Sequence, residues 1–106
     1  MRFDYTTPVD ETKTVNALII STYSVDLERS EAHVSYQLGN WNGSAFTVLF
    51  NDQMVTVPEA QFASVFTLAD QLQTNNPGTP VQDAIEYALY KKLEQFLGLT
   101  GTIDIS

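Results

Sequence analysis

Cysteine is absent from the chain, so disulfide frameworks, thiolate metal sites and thiol nucleophiles are all excluded. Histidine occurs once, at His33, which leaves no set of imidazoles to hold a transition metal. Basic residues are scarce: five Lys and Arg face thirteen Asp and Glu, a formal charge of −8. That balance opposes nucleic-acid binding, which needs Lys and Arg to neutralise phosphates. No long apolar run exists either. "ALII" is far short of the roughly 20 residues that span a bilayer, and the N-terminal "MRFDYTTPVDET" has acids and a proline where a signal peptide needs an apolar centre. The expectation is a chain without signal peptide, transmembrane segment or membrane partner.

What is present suits one folded domain. At 106 residues, a chain buries roughly 65% of its unfolded surface without needing metal or disulfide. Residues 1–12 show no helical or strand period, and Pro8 among charges reads as an extended arm. "TVNALIISTYSV", residues 14–25, is rich in β-branched and aromatic residues and reads as a first strand. Its odd positions Val15, Ala17, Ile19, Tyr23 and Val25 form one expected core face, with Leu18 and Ile20 on the other. "DLERSE" turns the chain into "AHVSYQL", where Ala32, Val34, Tyr36 and Leu38 alternate with His33, Ser35 and Gln37. "SAFTVLFN" follows, with Phe46, Val48 and Phe50 on one face.

Between these two strands stands "GNWNG". A two-residue Asn42-Gly43 turn would set Leu38 against Thr47. A three-residue loop of Trp41, Asn42 and Gly43 instead pairs Leu38 with Phe46, Tyr36 with Val48 and Val34 with Phe50, and places Gly43 where a left-handed residue is needed. Trp41 is then surplus to the turn, at least partly exposed on the hairpin tip. "NDQ" is read as a further turn into a short fourth strand, "MVTV".

The period then changes. Phe62, Val65, Phe66, Ala69 and Leu72 recur at helical spacing near 58–73, with Pro58 at the start. After "NNPGTP", Thr79 is the expected N-cap of a second helix near 80–97, with Pro80 and a Gln82 capping box, closed by Gly98. Residues 99–106 form a tail in which Ile103 and Ile105 alternate. The fold class expected is α+β: an antiparallel meander of about four strands followed by two helices packed on one face.

Chemistry is thinly supplied. His33 and Ser35 share a strand face, yet no oriented acid or oxyanion loop accompanies them. Asp26, Glu28 and Glu31 crowd one turn but lack the spacing of a calcium loop. Glu86 and Glu94 lie two turns apart on a helix and read as solvent-face charge. Tyr87 and Tyr90 flank the second helix's apolar stripe and read as core edge. No G-x-G-x-x-G, G-x-x-x-x-G-K or H-E-x-x-H pattern occurs. No enzyme, cofactor, metal or small-molecule substrate is therefore expected.

The passage "YSVDLERSEAHVSYQLGNWNGSAF", the extended "MRFDYTTPVDETKTV" start and the Ser/Thr/Asn/Gln-rich surface resemble small virion structural proteins of tailed bacteriophages, over residues 1–58. The resemblance implies a non-enzymatic connector, tail, baseplate or fibre-attachment subunit of a symmetric assembly, located in the virion; without a phage origin the location expected is the cytoplasm. It transfers no functional residue. Leu18, Ile20 and Leu49 are expected on a sheet face away from the helices, where three exposed side chains would forgo roughly 5–9 kcal/mol of burial. With Trp41, Ile103 and Ile105 they form the expected interface with other protein subunits in a homo- or hetero-oligomer. The alternative is an acidic inhibitor or decoy for a basic partner surface.

Overall fold

A computed structural model of the chain describes residues 1–5 and 15–104. Strands β1 (Arg2–Tyr5), β2 (Ala17–Asp26), β3 (Glu31–Trp41) and β4 (Phe46–Val57) are followed by helices α1 (Glu59–Asn75) and α2 (Val81–Leu97), and by strand β5 (Gly101–Asp104). The strands form one sheet in the order β4-β3-β2-β1-β5, with every neighbouring pair antiparallel. The fold class is thus α+β with two helices after an antiparallel meander, as the sequence indicates. The meander is assembled differently, however. Residues 46–57 are one strand rather than two, because "NDQ" makes no turn, and the sheet gains its remaining strands from the two ends. The described parts of the expected arm and tail are β1 and β5, hydrogen-bonded side by side.

One face of the sheet carries both helices. Phe3, Leu18, Ile20, Ala32, Val34 and Tyr36 meet Val65, Ala69 and Leu72 of α1 and Ala88, Leu89 and Tyr90 of α2 in one apolar cluster. Leu18 and Ile20 are therefore core, 0% and 8% exposed, which corrects their expected place on the opposite face. The reason is an irregularity in β2. Leu18 stands opposite Leu38 and Ile20 opposite Tyr36, but the register shifts between Ile20 and Thr22, so that Tyr23 then meets Val34. An extra residue of this kind switches which parity faces inward. Leu18 and Ile20 point to the helices before the bulge, and Tyr23 and Val25 after it.

Tyr90 of α2 completes this junction. Its hydroxyl accepts the Ile20 backbone N–H at 2.9 Å and donates to the Met1 carbonyl at 2.9 Å. The ring is fully buried, and burial pushes its hydroxyl pKa well up. One side chain thereby satisfies a backbone group beside the bulge and fixes β1 beneath α2. Between the helices, the buried Lys92 extends its ammonium to the Gln61 and Gln95 side-chain oxygens at 2.9 and 3.4 Å. Gly98 ends α2 in the left-handed conformation, as its position indicates. Thr79 does not cap α2: Pro80 is the N-cap residue, with no side-chain cap bond, and the Thr79 hydroxyl donates to the Asn76 carbonyl instead.

The β3–β4 hairpin also departs from expectation. Trp41 pairs with Phe46 inside the sheet, so the loop is the four residues from Asn42 to Ala45. The Asn42 side chain organises it by accepting N–H bonds from Ser44 and Ala45 at 2.9 Å each. Gly43 has φ +99°, the left-handed requirement read from the sequence. The longer loop moves the pairing by an odd number of residues. Phe46 and Val48, opposite Trp41 and Gly39, consequently lie on the helix-free face rather than in the core.

Candidate functional site: the helix-free sheet face

Directly opposed residues in antiparallel strands share a face, and the pairings therefore map the helix-free side. Asp4 opposes Ala17 and Thr102, Ala17 opposes Gly39, and Gly39 opposes Val48. Arg2, Ile19, Trp41 and Phe46 join this side by the two-residue period of their strands. Towards the β2–β3 turn the same face becomes polar, with Ser24 opposite His33 and His33 opposite Thr56. The face is thus divided into an aromatic and aliphatic half around Trp41 and a polar half around His33.

Trp41 is placed by an asparagine acting as a piece of backbone. The Asn16 side-chain oxygen accepts the Trp41 N–H at 2.7 Å and its amide donates to the Trp41 carbonyl at 3.0 Å. This extends the β2–β3 ladder beyond Ala17 and holds the indole at the hairpin end. Phe46 lies across Gly39, where an added Cβ would come 2.9 Å from the Phe46 ring and 2.0 Å from the Thr47 carbonyl oxygen. Gly39 is therefore the surface on which the aromatic ring rests. Val48 beside it is 42% exposed.

Arg2 stacks on the other side of Trp41, its guanidinium carbon 4.0 Å from the ring centroid. Asp4 receives two bonds from the guanidinium, at 2.6 and 2.9 Å, and Asp104 a third at 3.0 Å. The bond to Asp4 raises the Arg2 pKa further, against a smaller opposing effect of burial. This arrangement ties β1, β5 and the hairpin end together. It also neutralises the arginine, so the patch presents ring faces and aliphatic surface rather than an anion-binding charge.

Of the expected interface residues, only Trp41 lies on this face by strand register. Leu18 and Ile20 are core. Ile103 opposes Phe3 and packs against the helix-side cluster, a correction to its expected role. Leu49 is half-buried on β4, skipped where the register shifts between Leu38↔Phe50 and Gly39↔Val48. Ile105 falls outside the described residues. The sequence reading missed Arg2, Phe46 and Val48. Arg2 could be found only by knowing that β1 joins the sheet, since 39 positions separate it from Trp41.

The remaining candidates disperse. His33 turns Nδ1 towards the Thr56 hydroxyl at 3.2 Å and Nε2 towards Glu31 at 3.6 Å, with no bond to Ser35 among those described. Asp26 accepts the Glu28 and Arg29 backbone N–H groups at 3.1 Å each, so it shapes its own turn. No group of three or more His, Asp or Glu among the described residues could hold a metal ion. An open groove of about 490 Å³ runs past Ile20, Tyr23, Gln82 and Glu86. Burial, then the nearby Glu86 and Asp83 carboxylates, raises the Tyr23 hydroxyl pKa there, which makes that hydroxyl a poorer base precursor at neutral pH. No helix among the described residues is long and apolar enough to cross a membrane.

No protein-family model, curated protein or solved structure matches the chain.

Proposed function

We propose that the chain is a non-enzymatic assembly subunit that docks the Trp41 half of its helix-free face against a neighbouring protein, in the manner of small structural proteins of tailed-phage particles. The observation that carries this reading is the position of Trp41: half-buried, backed by the sheet, flanked by the Phe46 ring and by a Val48 that is 42% exposed. A rigidly held indole beside exposed aliphatic surface is the usual composition of an interface anchor. The acidic-decoy alternative has less support, because Asp4 and Asp104, the carboxylates nearest this patch, are engaged by Arg2.

Trp41 is the only tryptophan, so its fluorescence reports on this face alone. The isolated chain should show Trp41 emission accessible to acrylamide, and assembly should shift the emission to the blue and protect it. Trp41→Ala should remove the assembly while changing the melting temperature little. The reading fails if Trp41→Ala instead costs about 3–5 kcal/mol of folding stability, as truncation of a core aromatic does, with assembly unaltered.

A further inference from the structure

Among the described residues, the sheet order leaves β4 with β3 as its one strand neighbour, and such an edge carries a row of N–H and C=O groups available to another strand. Natural proteins commonly protect an edge with lysine, proline or inward charge. From Gln53 to Val57 the sequence "QMVTV" has none of these. The two register shifts of β4 lie before this run, between residues 48 and 53, and leave 53–57 regularly paired with β3 from Tyr36 to Ala32. The bulges therefore restrict where a strand could be added without removing the site.

One exposed apolar side chain stands within this run, and another lies on the outward side of α1. Met54, on the helix-free side opposite Ser35, is 69% exposed. On the helix side, Phe66 is 38% exposed and packs edge-to-face with Phe62 at 5.2 Å. Gln61 of α1 bonds to Lys92 of α2, and Phe66, five residues on, lies roughly 140° round the helix from Gln61 at 3.6 residues per turn. Phe66 thus faces away from α2. Tyr90 anchors α2 over β2 and β1, so the outward side of α1 is the β4 side.

We infer that β4 residues 53–57 pair antiparallel with the same run of a second copy of this chain, joining two sheets across a two-fold axis. The occupant follows from charge and symmetry. The run has no charged residue, so a basic peptide finds no carboxylate to meet within it, and a chain of net charge −8 can approach its copy there without opposing like charges inside the paired run. A two-fold pairing centred on Val55 sets Met54 against Thr56 of the second copy. Because paired strands of one sheet keep the same faces, it also brings the two Phe66 side chains to the same side of the joined sheet. Backbone bonds supply the affinity and these apolar side chains supply the register.

This edge joint rests on the assembly role proposed above and is separate from the Trp41 joint. Light scattering on the purified full chain should give twice its 11.8 kDa mass, and Met54→Lys should return it to the single-chain mass with an unchanged melting temperature. Since the chain has no cysteine of its own, Val55→Cys should form an intermolecular disulfide under mild oxidation. Trp41→Ala should leave this pair intact. A chain that is monomeric at every concentration overturns the edge pairing, as does a dimer that survives Met54→Lys. If the dimer survives Met54→Lys and dissociates with Trp41→Ala, the edge inference falls while the Trp41 reading stands.

Discussion

Single side chains decide several features of this fold, and Tyr90 is the clearest case. Its hydroxyl serves two backbone groups, the Ile20 N–H and the Met1 carbonyl. Tyr90→Phe keeps the ring and strands both partners, so unfolding in urea should show a loss of about 1–3 kcal/mol; an unchanged midpoint would mean that water replaces the hydroxyl. Tyrosine burial also sets an alkaline limit. Tyr5 is pushed up to about 12, mainly by burial and then by Tyr36, and the Tyr90 hydroxyl is raised as well. In the unfolded chain these groups ionise near about 10. Above that pH the unfolded state releases protons that the folded state retains, so ν is smaller for the unfolded chain and stability falls as pH rises. The urea midpoint should therefore be steady just below pH 10 and decline from there towards pH 12. Tyr5→Phe should reduce the slope. Gly39 sets a different constraint, through contact: with a Cβ only 2.0 Å from the Thr47 carbonyl oxygen, Gly39→Ala must displace β4 or the Phe46 ring.

At the scale of elements, the helices and the sheet differ in how openly the sequence declares them. The spacing of Phe62, Val65, Ala69 and Leu72 gives α1 to within two residues, and Gly98 marks the end of α2. Helical periodicity tolerates an error of one residue. Strand periodicity does not, because one added residue exchanges the faces. Here β2 has one irregularity and β4 two; Gly39 stands at one of those in β4, but neither Ser21 nor residues 50–53 offer a proline or glycine to mark the others. "ALIISTY" reads as apolar on both faces because Ile20 and Tyr23, of opposite parity, both turn inward across the bulge at Ser21. The site was legible in the same uneven way. Asn42 and Gly43 announce the hairpin and leave Trp41 needing a role, whereas Arg2, Asp4 and Asp104 converge on it only through the pairing of distant ends. The corrected faces have a direct test. Leu18→Ser should unfold the monomer or nearly so, since it removes a buried side chain worth about 1.5–3 kcal/mol by transfer alone and leaves a hydroxyl in the cluster. Ile19→Ser, on the helix-free face, should leave the chain folded. The opposite pattern in thermal melts would restore the arrangement expected from simple alternation.

For the whole molecule, two electrostatic tendencies oppose each other. Local attraction is concentrated at Arg2, which clasps Asp4 and Asp104 and so joins the first and last strands. Lys91 with Glu94 and Arg29 with Asp26 add wider pairs at 3.8 and 4.0 Å on exposed surface, each worth about 0–1 kcal/mol. Against them stands a general repulsion, since thirteen acids and five bases leave eight negative charges that no base in the chain can balance. Folding brings these charges closer than they are in the unfolded chain, and a net charge far from zero destabilises the compact state. Salt weakens both tendencies over a Debye length of about 10 Å at 0.1 M. The Arg2 cluster is the less screened of the two, because its bonds are short and its side chain is 16% exposed, whereas the acids of the turns and helix surfaces repel through solvent. Sodium chloride should therefore raise the melting temperature between low and moderate ionic strength, by several degrees if the relief reaches about 1 kcal/mol in a domain of this size. Arg2→Gln should lower the starting temperature and enlarge the rise, since it removes the attraction and adds one more unbalanced negative charge. A melting temperature that falls with salt in the native chain, and ceases to fall in Arg2→Gln, would instead make the single arginine at the junction of the two ends the dominant electrostatic contribution to the fold.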